Sequence, residues 1–408
     1  MRPSLSPLYR TLLGLACVIA FSLPVAGWQH VQDGDALRLA ISQDQDVLVA
    51  CKCLHGSVQP TKTVIHSNSC QQVTAQTPKS NALGTEWSSA VSEAKETTLI
   101  SIDCVAHKDA CDKHGVTSYP AVVLFKSGQV VARYQGPRRA ASILQWVNRR
   151  KLPLVSELST VEDLETFKSA DDVAFVVFLD SANGDAAAAL SKMAEKYRDE
   201  FRFGIVTDQS IAKSQDVNVP AVVCYRSIDG DKVVGSDFEP DKLEAWIKEA
   251  SRQVLGDLTV LNRQRLLDRG WPMVYLFAQS QNEREELRQT ILKFAKNYYD
   301  SLTSVMVDPL EFPELMGKLG LEEGRFPAGA VHQLSKDRIY PFPKDKPLTP
   351  STIQKWGLDV YQGRIKPWTP PGVTTTFEDL KPTKAATRKI SIRSYPGMKI
   401  KIAGHEEL

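Results

Sequence analysis

Three stretches of the chain repeat one order of apolar and polar positions. Each has a proline, an apolar strand, a polar turn and a second strand, and they read YPAVVLFKSGQVVARY (119–134), VPAVVCYRSIDGDKVVG (219–235) and FPAGAVHQLSKDRIYPF (326–342). The prolines, at positions 120, 220 and 327, lie about 100 residues apart, a period typical of whole domains rather than of solenoid repeats. The pattern predicts three copies of one domain.

The same order of elements precedes each proline. An apolar strand, a helical stretch, another strand and a short helix follow one another, with the strands at 46–50 and 99–103, at 173–179 and 201–207, and at 273–278 and 302–308. An amphipathic helix closes each unit, at 139–150, 240–251 and 350–362. Strands that alternate with helices predict α/β layers, and the strand pair after the proline adds an antiparallel edge. The expected fold class is α/β, in three tandem domains.

The two ends of the sequence predict a compartment. Residues 1–27 combine basic Arg2 and Arg10 with an apolar run that ends near Gly27, which is typical of a cleaved secretory signal peptide. The alternative, a membrane anchor, is weaker because the run is short and contains Pro24. The last four residues, His405, Glu406, Glu407 and Leu408, are a close variant of the tetrapeptides that return proteins to the endoplasmic reticulum. We expect a lumenal protein that a retrieval receptor recognises.

Composition narrows the class further. Hydrophobic residues make up 42% of the chain and charged residues 24%, and the formal net charge is +2. These values are typical of a globular protein and give no indication of nucleic-acid binding. Beyond the first 27 residues no apolar stretch is long enough to span a bilayer. No cofactor or metal motif is recognised, so none is expected.

The repeated order, with a proline ahead of the third strand, resembles the thioredoxin fold, and three copies resemble the protein disulfide isomerase family. The first unit carries the closest match, with the Tyr119-Pro120 pair, whose peptide bond is cis in the family, and the ending YQGPR. The resemblance implies an a domain at 28–153, a b domain at 154–253 and a b′ domain at 254–362. It also implies a cis bond at Pro327. The family's second catalytic domain is absent from this sequence, where residues 363–404 form a linker and basic tail, interpreted as a spacer or a binding arm.

The catalytic position of the first unit differs from the family's pattern. Aligned back from ALGTEW, the residues Thr77-Pro78-Lys79-Ser80 stand where the family has Cys-Gly-His-Cys. Disulfide exchange needs an attacking thiolate and a second thiol, which hydroxyls cannot replace. Arg138 matches the family's arginine that tunes the second cysteine, but a surface arginine is the alternative. Thiol chemistry is therefore not expected at Thr77 and Ser80.

Residues 51–72 interrupt the first unit with a long stretch that has no helical or strand period. Cys51-Lys52-Cys53 can be encoded with GTAAGT, the preferred start of an intron, and the codons at 72 and 73 can supply an AG acceptor in phase. One hypothesis is a retained intron. If the segment is native, Cys51-Lys52-Cys53 is either a displaced dithiol site or, with His55, His66 and Cys70, a metal cluster. A metal cluster with His55, His66 and Cys70 fits no standard zinc spacing.

Two further cysteines lie elsewhere in the first unit. Cys104 and Cys111 match a family pair that forms a structural disulfide, and two buried free thiols are the alternative. Cys224, in the second unit, is interpreted as a small buried hydrophobic residue.

The family's b′ domain binds unfolded polypeptide in an apolar groove. Leu315, Leu319 and Leu334 match groove positions, and Phe326 precedes the expected cis proline. Ordinary core packing is the alternative for each of them. Two functions remain open: a redox-silent chaperone or escort for unfolded or nascent secretory polypeptides, and a disulfide isomerase that acts through Cys51, Cys53 or Cys70.

Overall fold

The computed structural model describes residues 31–42, 46–52, 78–94, 97–180 and 184–370. The expected signal peptide and retrieval tetrapeptide lie outside these ranges, as do Thr77, Cys53, Cys70 and most of the segment 51–72. By its contacts the chain divides into Met1–Trp368 and Thr369–Leu408, and the folded elements below all belong to the first unit.

The first domain contains a mixed sheet with the strand order β2-β1-β3-β4. Strand β1 pairs in parallel with β2 and antiparallel with β3. Its elements are α1 (Gly34–Ile41), β1 (Val47–Lys52), α2 (Pro78–Glu93), β2 (Thr98–Asp103), α3 (Lys108–Lys113), β3 (Ala121–Lys126), β4 (Gln129–Arg133) and α4 (Ala140–Lys151). The two-residue turn between β3 and β4, Ser127 and Gly128, has φ of 48° and 77°, which suits a tight hairpin.

The second domain repeats this plan with a short additional strand at the edge of its sheet. The strand order is β5-β7-β6-β8-β9. Its elements are β5 (Ser156–Glu157), α5 (Val161–Ser169), β6 (Val173–Phe178), α6 (Gly184–Tyr197), β7 (Arg202–Val206), α7 (Gln209–Ser214), β8 (Ala221–Arg226), β9 (Asp231–Gly235) and α8 (Pro240–Ala250). Helix α5 begins with a reciprocal capping box between Thr160 and Asp163.

The third domain has the same topology as the second, with the strand order β10-β12-β11-β13-β14. Its elements are β10 (Gly256–Asp257), α9 (Arg263–Asp268), β11 (Met273–Phe277), α10 (Gln281–Asn297), β12 (Thr303–Val307), α11 (Pro313–Lys318), β13 (Ala328–Gln333), a 3₁₀ turn (Leu334–Lys336), β14 (Arg338–Pro341) and α12 (Pro350–Tyr361). Ser280 and Glu283 form the capping box of α10.

Helices cover both faces of each sheet, so each domain has two layers of core. In β1, Val49 and Cys51 face one layer while Leu48 and Ala50 face the other, as the two-residue period of a strand requires. Burial on both faces explains why the central strands are almost continuously apolar. The predicted α/β class with three thioredoxin-like domains is confirmed, whereas the predicted boundaries at 153, 253 and 362 stay predictions.

Among the described residues three X-Pro bonds are cis, namely Tyr119-Pro120, Val219-Pro220 and Phe326-Pro327. The sequence expectation named Pro120 and Pro327 and missed Pro220, although it stands at the same place in the repeat. Within the described ranges, no helix combines the length and the apolar character needed to cross a membrane.

Candidate functional site

The segment expected to replace the family's catalytic motif, residues 77–80, runs into the start of α2. Strands β1 and β2 are parallel and end together at Lys52 and Asp103, and α2 begins at Pro78. Ser80 falls in the first turn of α2, and Thr77 lies just outside the described residues. The amino-terminal turn of a helix is where a thiolate would be stabilised. A serine or threonine hydroxyl there provides no group for disulfide exchange.

Cys51, the alternative nucleophile, is buried near the end of β1. Its side chain is 3% exposed and packs among the apolar residues of one core layer. This burial raises the pKa of the Cys51 thiol to about 12, which the charge of Arg133 only partly opposes. A thiol with such a pKa stays protonated at neutral pH and is a poor attacking group. The structure therefore argues against Cys51 as a catalytic thiol.

Cys104 and Cys111 form a disulfide with a Cα–Cα distance of 5.7 Å. Cys104 follows β2, where its backbone N–H donates to the carbonyl of Lys52, and Cys111 lies in α3. The Cys51 sulfur lies within 4.8 Å of both disulfide sulfurs. Because two of the three sulfurs are bonded to each other, this cluster offers one thiol and not a set of thiolate ligands for a metal.

Arg138 connects two domains and is not a free surface arginine. Its Nη2 donates to the carbonyl of cis-Pro120 at 3.5 Å, and its Nε lies 3.3 Å from Oε1 of Glu311 in the third domain. Nearby, the Glu86 carboxylate of α2 accepts a hydrogen bond from the Ala140 N–H at the start of α4. The carboxylate thereby satisfies a free N–H group of that helix.

The expected groove residues Leu315 and Leu319 are buried in the core of the third domain. They are 7% and 2% exposed and pack with the sheet residues Tyr275 and Ala330. The expectation that they form an exposed patch is wrong for these two residues. The physical reason is that α11 is a short helix at the sheet, and its i, i+4 positions point into the core rather than away from it.

Phe326 and Leu334 are partly buried and pack against the edge of the same core. Leu321 and Ile339 share this position, and all four lie around the cis bond before Pro327 and the β13–β14 turn. We call these four residues, together with Trp368, the third-domain rim. They present apolar atoms at the surface of a folded domain, which is a feature of interaction sites.

Trp368 was missed by the sequence reasoning. Its backbone N–H donates to the carbonyl of Ile339 at 2.7 Å, and this hydrogen bond is part of an isolated antiparallel bridge. Its indole lies over Gly320, where the absence of a side chain leaves room for the ring. An aromatic residue shortly after the last helix, within an otherwise polar stretch, was the available signal.

Comparisons with known proteins agree with this architecture. A family model described as "Thioredoxin" matches residues 75–149, and one described as "Thioredoxin-like domain" matches residues 178–357. A protein disulfide-isomerase of Humicola insolens is 31% identical over 289 residues, which cover 70% of this chain and 57% of the relative. A protein disulfide-isomerase of Aspergillus niger is 28% identical over 365 residues, which cover 89% of this chain and 67% of the relative.

The solved structure of human ERp44, form II, is similar over 89% of this chain and 97% of that chain, with 15% identity and a TM-score of 0.37. The chain spans little more than half the length of the Humicola relative.

Proposed function

Because the chain belongs to the protein disulfide isomerase family, we propose that it holds unfolded or partly folded polypeptides as a chaperone or escort in the lumen of the endoplasmic reticulum. The secretory signal expected at 1–27 and the retrieval tetrapeptide expected at 405–408 support this compartment. The partners would be nascent secretory chains and the retrieval receptor.

The observation that carries the proposal is the third-domain rim. Phe326, Leu334 and their neighbours are packed on the core on one side and open to solvent on the other. Because these side chains are already partly buried, covering the remainder of one with a partner contributes about 1.4 kcal/mol, which corresponds to about tenfold in affinity. A surface of this kind recognises exposed apolar side chains, of which unfolded polypeptides present many more than folded ones.

The same proposal excludes thiol chemistry at the first domain. Thr77 and Ser80 supply hydroxyls at the two thiol positions, and Cys51 is buried with a raised pKa. The alternative function, a disulfide isomerase acting through Cys51, Cys53 or Cys70, would need a thiolate that solvent and substrate can reach. The burial of Cys51 opposes its part in that alternative.

Reduction of insulin by dithiothreitol distinguishes the two functions. We expect the full chain to add no turnover to the uncatalysed rate, and the double variant Thr77→Cys/Ser80→Cys to recover measurable turnover. Turnover by the unmodified chain that disappears in Cys53→Ser would favour the isomerase and contradict the proposal.

A further inference from the structure

Arg139 of the first domain forms a bidentate ion pair with Asp257 of the third domain. Its Nη1 and Nη2 donate to the two carboxylate oxygens at 2.9 and 3.1 Å, although 118 positions separate the residues in the chain. The side chains are 16% and 19% exposed. A parallel double hydrogen bond of this kind is among the strongest arrangements of an arginine and a carboxylate.

Further charges converge on the same place. Arg284 and Arg288 of α10 approach Asp257 at 3.5 and 3.4 Å, and Arg284 also approaches Asp308 at 3.4 Å. Burial alone would raise the pKa of Asp257, but the neighbouring Arg139 and Arg288 hold that pKa below its ordinary value. The carboxylate therefore stays ionised at neutral pH and available to the first domain.

A second interdomain pair, Arg138 with Glu311, lies beside the first. The two arginines are consecutive and immediately precede α4, whereas Asp257 lies in β10 and Glu311 lies between β12 and α11. Between them a cavity of about 70 Å³ separates Leu83 and Glu86 of α2 from Gln281 and Leu310. The space holds a few water molecules and is too small for a polypeptide segment.

The other end of α4 is attached to the second domain. Trp146 Nε1 donates to Asp199 at 2.7 Å, Arg149 pairs with Asp171 at 2.9 Å, and Arg150 also pairs with Asp199. A helix of 12 residues is about 18 Å long, so its two ends contact different domains. The residues just before α4 therefore contact the third domain, and its last turns contact the second domain.

We propose that Arg138–Glu311 and Arg139–Asp257 form an electrostatic clasp that holds the first domain closed against the third. Opening the clasp would let the first domain turn about the carboxyl-terminal half of α4 and widen the space between α2 and α10. The clasp thus controls access to the space between α2 and α10. It is independent of the third-domain rim, whose residues take no part in it.

Small-angle X-ray scattering of the full chain tests the clasp. We expect Arg138→Glu and Glu311→Arg each to increase the radius of gyration by about 1 Å or more above the value measured for the parent. The charge-swapped double variant Arg138→Glu/Glu311→Arg should return to the parent's value. Lys242→Glu, which breaks the exposed pair with Asp237 inside the second domain, is the matched control and should change nothing.

The charge-swapped double variant allows the proposal to be tested even if a single variant is destabilised. Circular dichroism identifies such a variant, because general unfolding lowers the helical signal, whereas opening leaves it unchanged. Single variants that keep both the parent's radius and its helical signal would overturn the proposal. An expanded double variant with an intact helical signal would also overturn it, because the restored pair would then not hold the domains.

Discussion

Trp368 lies so close over Gly320 that a β-carbon built on the glycine would come within 2.6 Å of the indole ring. The glycine follows α11 with φ of 69°, a left-handed conformation that glycine adopts without strain. Gly320 therefore ends α11 and also leaves the space that the indole ring of Trp368 occupies.

Replacing Gly320 tests this double role. Gly320→Ala should destabilise the protein by about 1 to 2 kcal/mol through its backbone conformation and should also displace Trp368. Gly270→Ala is the matched control, since Gly270 follows α9 with φ of 67° and has open space around its α-carbon. We expect both variants to lose stability in chemical unfolding, and Gly320→Ala alone to bind more of the apolar dye ANS. Equal dye binding by the two variants would show that displacing Trp368 exposes no further apolar surface at the rim.

Substitution by aspartate should have different effects on stability at Leu319 and at Leu358. Leu319→Asp places a charge in the core, where the side chain is 2% exposed, and should unfold the third domain. Leu358, on α12, is 49% exposed, so Leu358→Asp should change the melting temperature little. Thermal unfolding of the two variants against the parent measures this. A folded Leu319→Asp variant with reduced polypeptide affinity would restore the groove assignment that the burial rejects.

The contribution of Glu244 to the stability of the folded protein should be lost in acid. Hydrogen bonds from Lys196 and Lys248 lower the pKa of Glu244 to about 2. Because the folded-state pKa lies below the unfolded one, the unfolded chain binds more protons on acidification. The stability from this group is thus present above about pH 4.5 and is lost as the pH falls toward 2.

Comparing unfolding free energies at pH 7 and pH 3 tests this. Since the two lysines are half exposed, solvent screening limits the contribution to about 1 kcal/mol. Glu244→Gln should lose that amount at pH 7 and less at pH 3. Glu162→Gln, an exposed glutamate of the same domain, is the control. A Glu244→Gln variant with the parent's pH dependence would disprove the assignment.

Cys51 should resist alkylation in the folded protein. Its thiol is buried and its pKa is raised to about 12, so iodoacetamide at pH 8 should modify it only after unfolding in guanidinium chloride. Peptide mass spectrometry before and after unfolding measures the modified fraction. Rapid modification of the native protein would mean that the thiol is accessible, and would revive its role in the isomerase alternative.

The sequence was sufficient for the fold because the repeated pattern depends on local chemistry. Apolar runs predict the strands, the proline marks the start of the third strand and the amphipathic stretches predict the closing helices. The three copies of this pattern predict the same domain. The cis bond at Pro220 was missed even though its position in the repeat is equivalent to those of Pro120 and Pro327. Treating the repeat as a constraint on all three copies would have identified it.

The sequence was insufficient wherever function depends on contacts between distant residues. A helical period identifies Leu315 and Leu319 as one face of α11 but cannot tell whether that face meets the core or the solvent. The pairing of Arg139 with Asp257 spans 118 positions, and Trp368 reaches Gly320 only because the chain returns across β14. Such contacts follow from tertiary packing, which periodicity does not encode.

Suppression of aggregation by the full chain tests the proposed function most directly. Thermally unfolded citrate synthase is a suitable client, since its aggregation can be followed by light scattering without any thiol exchange. We predict that the parent suppresses aggregation. The Phe326→Ser variant should be about tenfold less effective, because it loses the aromatic side chain of the rim residue Phe326. The Leu358→Asp control should match the parent. Equal suppression by the parent and by a folded Phe326→Ser variant, or no suppression by the parent, would contradict the assignment of polypeptide binding to the third-domain rim.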